Sequence, residues 1–373
     1  MRRSARAMVS SATRAAPARF SASAQAAAVE PVVITSSISR SRLPATRAGR
    51  AQPNAAVTFR RRAWLLNPAC APVQRRRRSA CITGMPQRRD RSRASSADWV
   101  LTLNPDVLLL PHFIRTLRDA GLADPSAGSV CGKLLSIGAG FRPLDEQRLD
   151  STGIFFTPAM RHFDRGWHEP DSRAFDSMEY VFGASAAAAL YRREMIDDVA
   201  VEGSFFDPAF FSYREDADVA WRAILQGWHC IYAPAAVSYH VRSVVPGNRL
   251  SIPAAINMHS VKNRFLMRIK NASPGLYRRY WLPMTLRDLL VIGGVVLAEP
   301  RSLPAFWRLA KYLPQAVRAR RLIMSRRKVD DATLAGWFNF QPVALAVGQA
   351  GDLPAARWPE PEPARGYAVE PTA

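Results

Sequence analysis

Residues 210–222 read Phe-Phe-Ser-Tyr-Arg-Glu-Asp-Ala-Asp-Val-Ala-Trp-Arg, and the reading of the fold turns on this stretch. Aromatic side chains, Phe210, Phe211 and Tyr213, run into three acids in four positions, Glu215, Asp216 and Asp218. Carboxylates suit a first helical turn, where unpaired N–H groups and the helix dipole favour negative charge. The pattern predicts a helix over Glu215–Gln226, stopped by Gly227 as its C-cap. Dipole bias explains the acids as a class. It leaves unexplained the aromatics before them and Trp221-Arg222 after them, so the stretch is a candidate site.

Working outward, Trp99–Leu103 has the composition of a buried strand, and Asn104-Pro105-Asp106 ends it as a turn. Phe113, Ile114, Leu117 and Leu122 recur at helical spacing. Ser129–Leu135 reads as a further strand, and 150–167 alternates around Pro158 as a hairpin does. Met178–Phe182 and Ala187–Tyr191 read as short strands flanking the small-residue loop Gly183-Ala184-Ser185. Beyond the acidic helix, Trp228–Tyr232 and Val237–His240 read as two more strands. This order predicts an α/β fold with a mixed sheet flanked by helices.

Asp106 falls just past the end of a buried strand. Ligands in open α/β sheets sit off the carboxyl ends of strands, so an acid there suits a hard cation that neutralises a diphosphate. The competing reading of Asn-Pro-Asp is a turn and nothing more. His240, after the strand-like 236–239, is a second candidate ligand, with a structural histidine as its alternative.

The order Leu-Asn-Pro-Asp at 103–106, the motif at 210–222 continued to Gly227-Trp228, and His240-x-Arg242-Ser243 resembles family 2 glycosyltransferases of the GT-A type. Within that family it looks most like the bacterial rhamnosyltransferase branch, with Phe182–Ser185, Ala189–Arg193 and Lys262–Phe265 as supporting stretches. The resemblance covers about 97–330. It implies an inverting sugar transfer from a nucleotide-diphosphate donor, dTDP-rhamnose or similar, to a glycan or lipid-linked acceptor in cell-envelope polysaccharide synthesis. By resemblance, Asp216 is the catalytic base and Glu215 orients it or the acceptor. Asp106 and Asn104 face the donor, and Asp106 with His240 holds Mg2+ or Mn2+. Gly183, Ala184, Ser185, Arg165 and Trp167 fall on the acceptor side. Asn104 stands where the family's Asp-x-Asp element has its first acid, and Ala186 where this branch commonly has glycine.

The family also needs a first nucleotide-binding β-α-β unit before Asp106, and here it is missing or scrambled. Only Val32–Ser36 reads as a strand, and the sequence after it is rich in arginine. Of the net charge of +22, residues 1–97 carry +18, from twenty arginines against Glu30 and Asp90. That leaves +4 for the rest. Such a front is expected to lack structure, and the abrupt change of texture near Ala97 suggests a shifted reading frame or a wrong start over about 36–95. An active transferase therefore has two alternatives: a catalytically dead remnant without a donor site, or an arginine-rich nucleic-acid binder. The front carries only Phe20, Phe59 and Trp64 as aromatics, and no RNA-binding fold is legible behind it, so nucleic acid is not the expected partner.

The four cysteines show no C-x-x-C spacing, which fits a reducing compartment; the resemblance implies a cytoplasmic enzyme, at the inner face of the plasma membrane if the C-terminal helices touch it. Residues 251–330 read as a helical extension, and 350–373 as an unstructured tail. The longest uncharged apolar run, Leu289–Ala298, is too short to cross a bilayer. Arg301, Arg308, Lys311 and Arg318 share one helix face, opposite Phe306, Leu309, Ala310, Leu313 and Val317. With Trp307 at the edge, this helix suits peripheral membrane contact, or else a surface helix packed on the catalytic part. Pro314 is expected to kink it.

Overall fold

The computed structural model describes residues 32–34, 97–139, 141–211, 213–241 and 254–347. The expectations for 36–95, for the remainder of the arginine-rich front and for the tail from 350 lie outside the described residues, as do Arg242 and Ser243.

The centre is a mixed sheet built on two long strands, β4 (Ala127–Ser136) and β10 (His229–His240), paired in parallel. β2 (Trp99–Leu103) and β9 (Ala188–Arg192) extend it on one side, and β8 (Glu179–Val181) on the other, all antiparallel to their neighbours. Short strands β3 (Val107–Leu109) and β5 (Leu149–Ser151) pair with β10 and β4. Helix α1 (Phe113–Ala123) packs Phe113, Leu117 and Ala120 into the core, as its spacing predicts. The 150–167 segment contains the expected hairpin, β6 (Ile154–Phe156) against β7 (His162–Asp164). The mixed α/β sheet, its flanking helices and the C-terminal helical region agree with the sequence expectation.

Three particulars differ from it. The two expected strands 228–232 and 237–240 are one strand, β10, whose register against β4 shifts between Ala233 and Val237. Pro234 lies in that interval, where an irregularity tolerates its missing N–H. β1 (Val32–Ile34) does form, but it pairs antiparallel with β2 at the sheet edge. A β-α-β unit requires parallel strands, so β1 and β2 do not make one. The short helix α7 (Asp331–Gly336) and β11 (Leu345–Ala346), which pairs with β8, were not anticipated. They carry Trp337 and Phe338 back into the core, where Phe338 meets Trp221 at 4.9 Å and Phe156 at 5.5 Å between ring centroids.

Helix α2 (Arg193–Val199) follows β9 directly, and α3 (Glu215–Leu225) is the expected acidic helix. Gly227 ends it at φ +82°, a left-handed conformation that glycine adopts without Cβ strain. The extension consists of α4 (Ala254–Asn271), α5 (Pro274–Leu297) and α6 (Pro304–Ser325). α5 overturns the reading that nothing here is long and apolar enough to span a bilayer. By length and composition it is, although little of it is buried. The polar residues inside it had broken up the apolar run. α6 keeps helical dihedrals across Pro314, and the break falls instead at Tyr280 of α5 (φ −117°, ψ 19°), three residues before Pro283. The packed stripe of α6 is Ala305, Ala316, Ala319 and Ile323. Leu313, expected on that stripe, is exposed.

Candidate active site

Asp216 sits in the first turn of α3, reached through a strained entry. Phe211, Tyr213 and Arg214 all have positive φ, 63°, 67° and 73°. Left-handed backbone is costly for side chains of this size and persists only where the surroundings impose it. Those surroundings are on α4. Asn263 Nδ2 donates to the carbonyls of Phe210 and Tyr213, both at 2.8 Å, and Lys262 Nζ donates to the carbonyl of Ala209. The supporting stretch Lys262–Phe265 therefore works as a clamp on the loop before the acids.

The three acids then separate by environment. Asp218 is fully buried, bound to Arg222 Nε at 2.9 Å, Lys270 Nζ at 3.0 Å and Asn271 Nδ2 at 2.8 Å. Burial works against its charge, but these cations and hydrogen bonds outweigh it and hold the carboxyl below its ordinary value. It joins α3 to α4. Trp221 is core, and Arg222 caps the carbonyls of Val199 and Phe205. These contacts account for the surplus residues of the motif.

Among the described residues no cation pairs with Asp216. Its Oδ1 accepts from the N–H of Ala217 at 2.8 Å and its Oδ2 from the N–H of Ala186 at 3.3 Å. Burial, then the charge of Asp164 on the hairpin, raise its pKa to about 6, while the two N–H groups pull it down. Burial and the charge of Asp216 raise Glu215 to about 8, and its Oε2 is buried without a hydrogen-bond partner. Near neutrality the pair is thus one ionised and one protonated carboxyl, the arrangement that suits a proton acceptor beside a hydrogen-bond donor.

A second cluster forms where β3 pairs with β10. His240 Nδ1 bonds to Asp150 Oδ2 at 2.7 Å, and its Nε2 lies 3.4 Å from Asp106 Oδ1. Burial disfavours the imidazolium, but the two carboxylates overcome it and raise the histidine to about 9. At 3.4 Å the Asp106 contact is an ion pair and not a hydrogen bond, and Oδ1 is buried without a hydrogen-bond partner. Two donors each ~2.1 Å from one cation lie about 3 Å apart, so this pair fits a shared Mg2+ or Mn2+. Asp150 would then fix the ring through its other nitrogen, as carboxylates behind metal-bound histidines do. Among the described residues no group of three His, Cys, Asp or Glu is arranged as a metal site. Were a cation held here, these two side chains would be the protein's share of its ligands.

The two clusters share one margin of the sheet. The N–H of Asn104 donates to the carbonyl of Ala187 at 2.8 Å, and Ala186, one residue earlier, donates to Asp216. Gly183 and Ala184 are the buried start of this loop, and Ser185 is half-buried. A Cβ at Gly183 would stand 2.2 Å from that of Ala220, so only glycine lets the loop lie against α3. Ala186 has no positive φ and fits its position unstrained. The guanidinium of Arg165, expected on the acceptor side, is buried in an ion pair with Glu179 over the ring of Phe175. Trp167 packs its ring edge-on to His168, 4.1 Å between centroids.

Sequence reading missed Asp150, Asp164 and the contact of Arg214 with His162 Nδ1 at 2.8 Å. The only trace was alternation across 150–167, which marks a hairpin but not which of its polar residues turn inward.

No family model matches the chain, and no curated protein matches it. Among solved structures it is similar to a crystal structure of GalNAc-T7 with UDP, GalNAc and Mn2+. The identity is 10%, the TM-score is 0.37, and the match covers 50% of this chain and 35% of the other. At that level the likeness carries no argument, and the case rests on the geometry of this chain.

Proposed function

We propose that this chain is an inverting glycosyltransferase acting on a nucleotide-diphosphate sugar, with Asp216 as the catalytic base. The observation that carries the reading is the placement of two unlike carboxylate sites on one sheet margin. One, Asp216, is half-buried, oriented by two backbone N–H groups and raised to about 6; the other, Asp106 with His240 and Asp150, has an unsatisfied carboxylate oxygen. Asp216 accepts the proton of the acceptor hydroxyl as its oxygen bonds to the anomeric carbon. On the opposite face the bond to the diphosphate breaks and the leaving group departs with the electron pair, so the configuration inverts. Asp106 and His240 would hold a divalent cation, whose chemistry is to neutralise the departing diphosphate. Glu215, held in its protonated form, stands beside the base as a hydrogen-bond donor for the acceptor to meet. A rhamnose-type donor, a glycan or lipid-linked acceptor and a cytoplasmic setting remain part of the proposal, on the resemblance of the motifs.

The test is Asp216→Asn, an isosteric change that removes the base. Sugar transfer should fall roughly 10³-fold, while donor affinity measured by calorimetry stays the same. Retained turnover would remove Asp216 from the role. A second reading, a transferase remnant, is favoured by one observation: the strand preceding β2 among the described residues is β1, antiparallel and at the edge. Failure of the wild-type chain to bind donor, with or without Mn2+, would decide for the remnant.

A further inference from the structure

Helix α5 leaves most of itself uncovered. It buries Leu276, Met284 and Val295 and exposes Leu282, Leu286, Leu289, Leu290 and Leu297 on the other side. These fall within one half of the helix circumference. At ~1.5 Å per residue, residues 281–297 form an apolar face about 25 Å long. No charged side chain is exposed along it; Arg287 and Asp288 are partly buried, and Asp288 is tied to Arg268 of α4 at 2.5 Å. A contiguous apolar face of this size marks an interaction surface.

Its borders indicate the partner. Trp281 flanks it at one end, Trp307 of α6 is 76% exposed beyond the other, and Arg278, Arg279, Arg301 and Lys311 are exposed around it. Over 274–330 there are twelve Lys and Arg against three acids. A second copy would bring two such positive surfaces together, whereas anionic lipid supplies the opposite charge. Tryptophan at the edges of an apolar band suits the headgroup zone. The packed side of α5 and the ion pair of Asp288 hold the helix along the protein surface, which favours an in-plane orientation over a span.

We propose that the outward face of α5 docks onto an anionic bilayer, the helix lying in the membrane plane, and that the arginines on its borders bind lipid headgroups. This revises the expectation that α6 makes the contact: the apolar surface belongs to α5, and α6 contributes Trp307 and basic residues.

The experiment is co-sedimentation of the full chain with phosphatidylcholine vesicles, with and without phosphatidylglycerol. It reads partitioning and not catalysis, so it stands or falls apart from the transferase reading. The wild type should pellet with anionic vesicles, less with neutral ones, and less as salt rises. Leu289→Gln with Leu290→Gln, both exposed and therefore harmless to the fold, should weaken partitioning by about tenfold or more. Equal binding by the double variant would overturn the proposal, as would a wild type that stays in the supernatant. A vesicle-free dimer, seen by light scattering and lost in the double variant, would overturn it by assigning the face to a second copy. Wild type that resists alkaline carbonate extraction from vesicles would show a spanning helix and also overturn it.

Discussion

At the scale of single residues, three acids within four positions have three different fates, decided by what each one meets. Among the described residues, Asp218 meets Lys270 and Arg222 and becomes a buried tie, Asp216 meets N–H groups and a like charge, and Glu215 has one oxygen, Oε2, buried without a hydrogen-bond partner. The like charge offers a test. A base must be deprotonated to act, so the transfer rate should rise with pH through about 6, level off, and fall again through about 8 as Glu215 loses its proton. Asp164 raises Asp216 by repulsion, so Asp164→Asn stabilises the ionised carboxylate. The rising limb should move to lower pH, and pH-rate profiles of the two proteins would show it. A limb that does not move, or that moves upward, would mean that Asp164 does not act on the base.

At the scale of elements, the site depends on how closely α3 approaches the loop after β8. The contact of Gly183 with Ala220 sets that distance, and the N–H of Ala186 reaches Asp216 from the same loop. Gly183→Ala should overpack the contact and cost roughly 1–3 kcal/mol, read as a fall in Tm, together with a loss of transfer rate. Adding Ala220→Gly returns the space and should recover most of both. A double variant no better than the single one would mean that the cost lies in the loop backbone and not in its contact with the helix. The aromatic and acidic pattern of 210–222 was legible in the sequence because it lies on one local element. The clamp from Lys262 and Asn263 was not, because a lysine and an asparagine on a helix give no sign of which distant carbonyls they will reach.

At the scale of the whole molecule, the C-terminal segment is part of the core and not an appendage. Phe338 is buried among Phe156, Phe182 and Trp221, linking the hairpin, the acceptor-side loop, α3 and the end of the described chain. Phe338→Ala should destabilise the protein by roughly 3–5 kcal/mol, seen as a lower denaturant midpoint with an unchanged slope. A change below about 1 kcal/mol would show that the segment packs only loosely.

By itself the sequence determined the local elements: the acidic helix and its glycine stop, the strand before Asp106, the hairpin and the helical extension. Each rests on periodicity, caps and turn residues, which act over a few neighbours. Only the tertiary structure decided which acid stays charged, which is raised and which is a tie, because a carboxyl's behaviour depends on burial and on groups far away in the chain. It also decided that Asp150 stands behind His240, ninety residues distant, and that Arg165 is committed to Glu179. The apolar face of α5 was hidden for the same reason: composition counts every residue of a helix alike, and packing determines which of them remain outside.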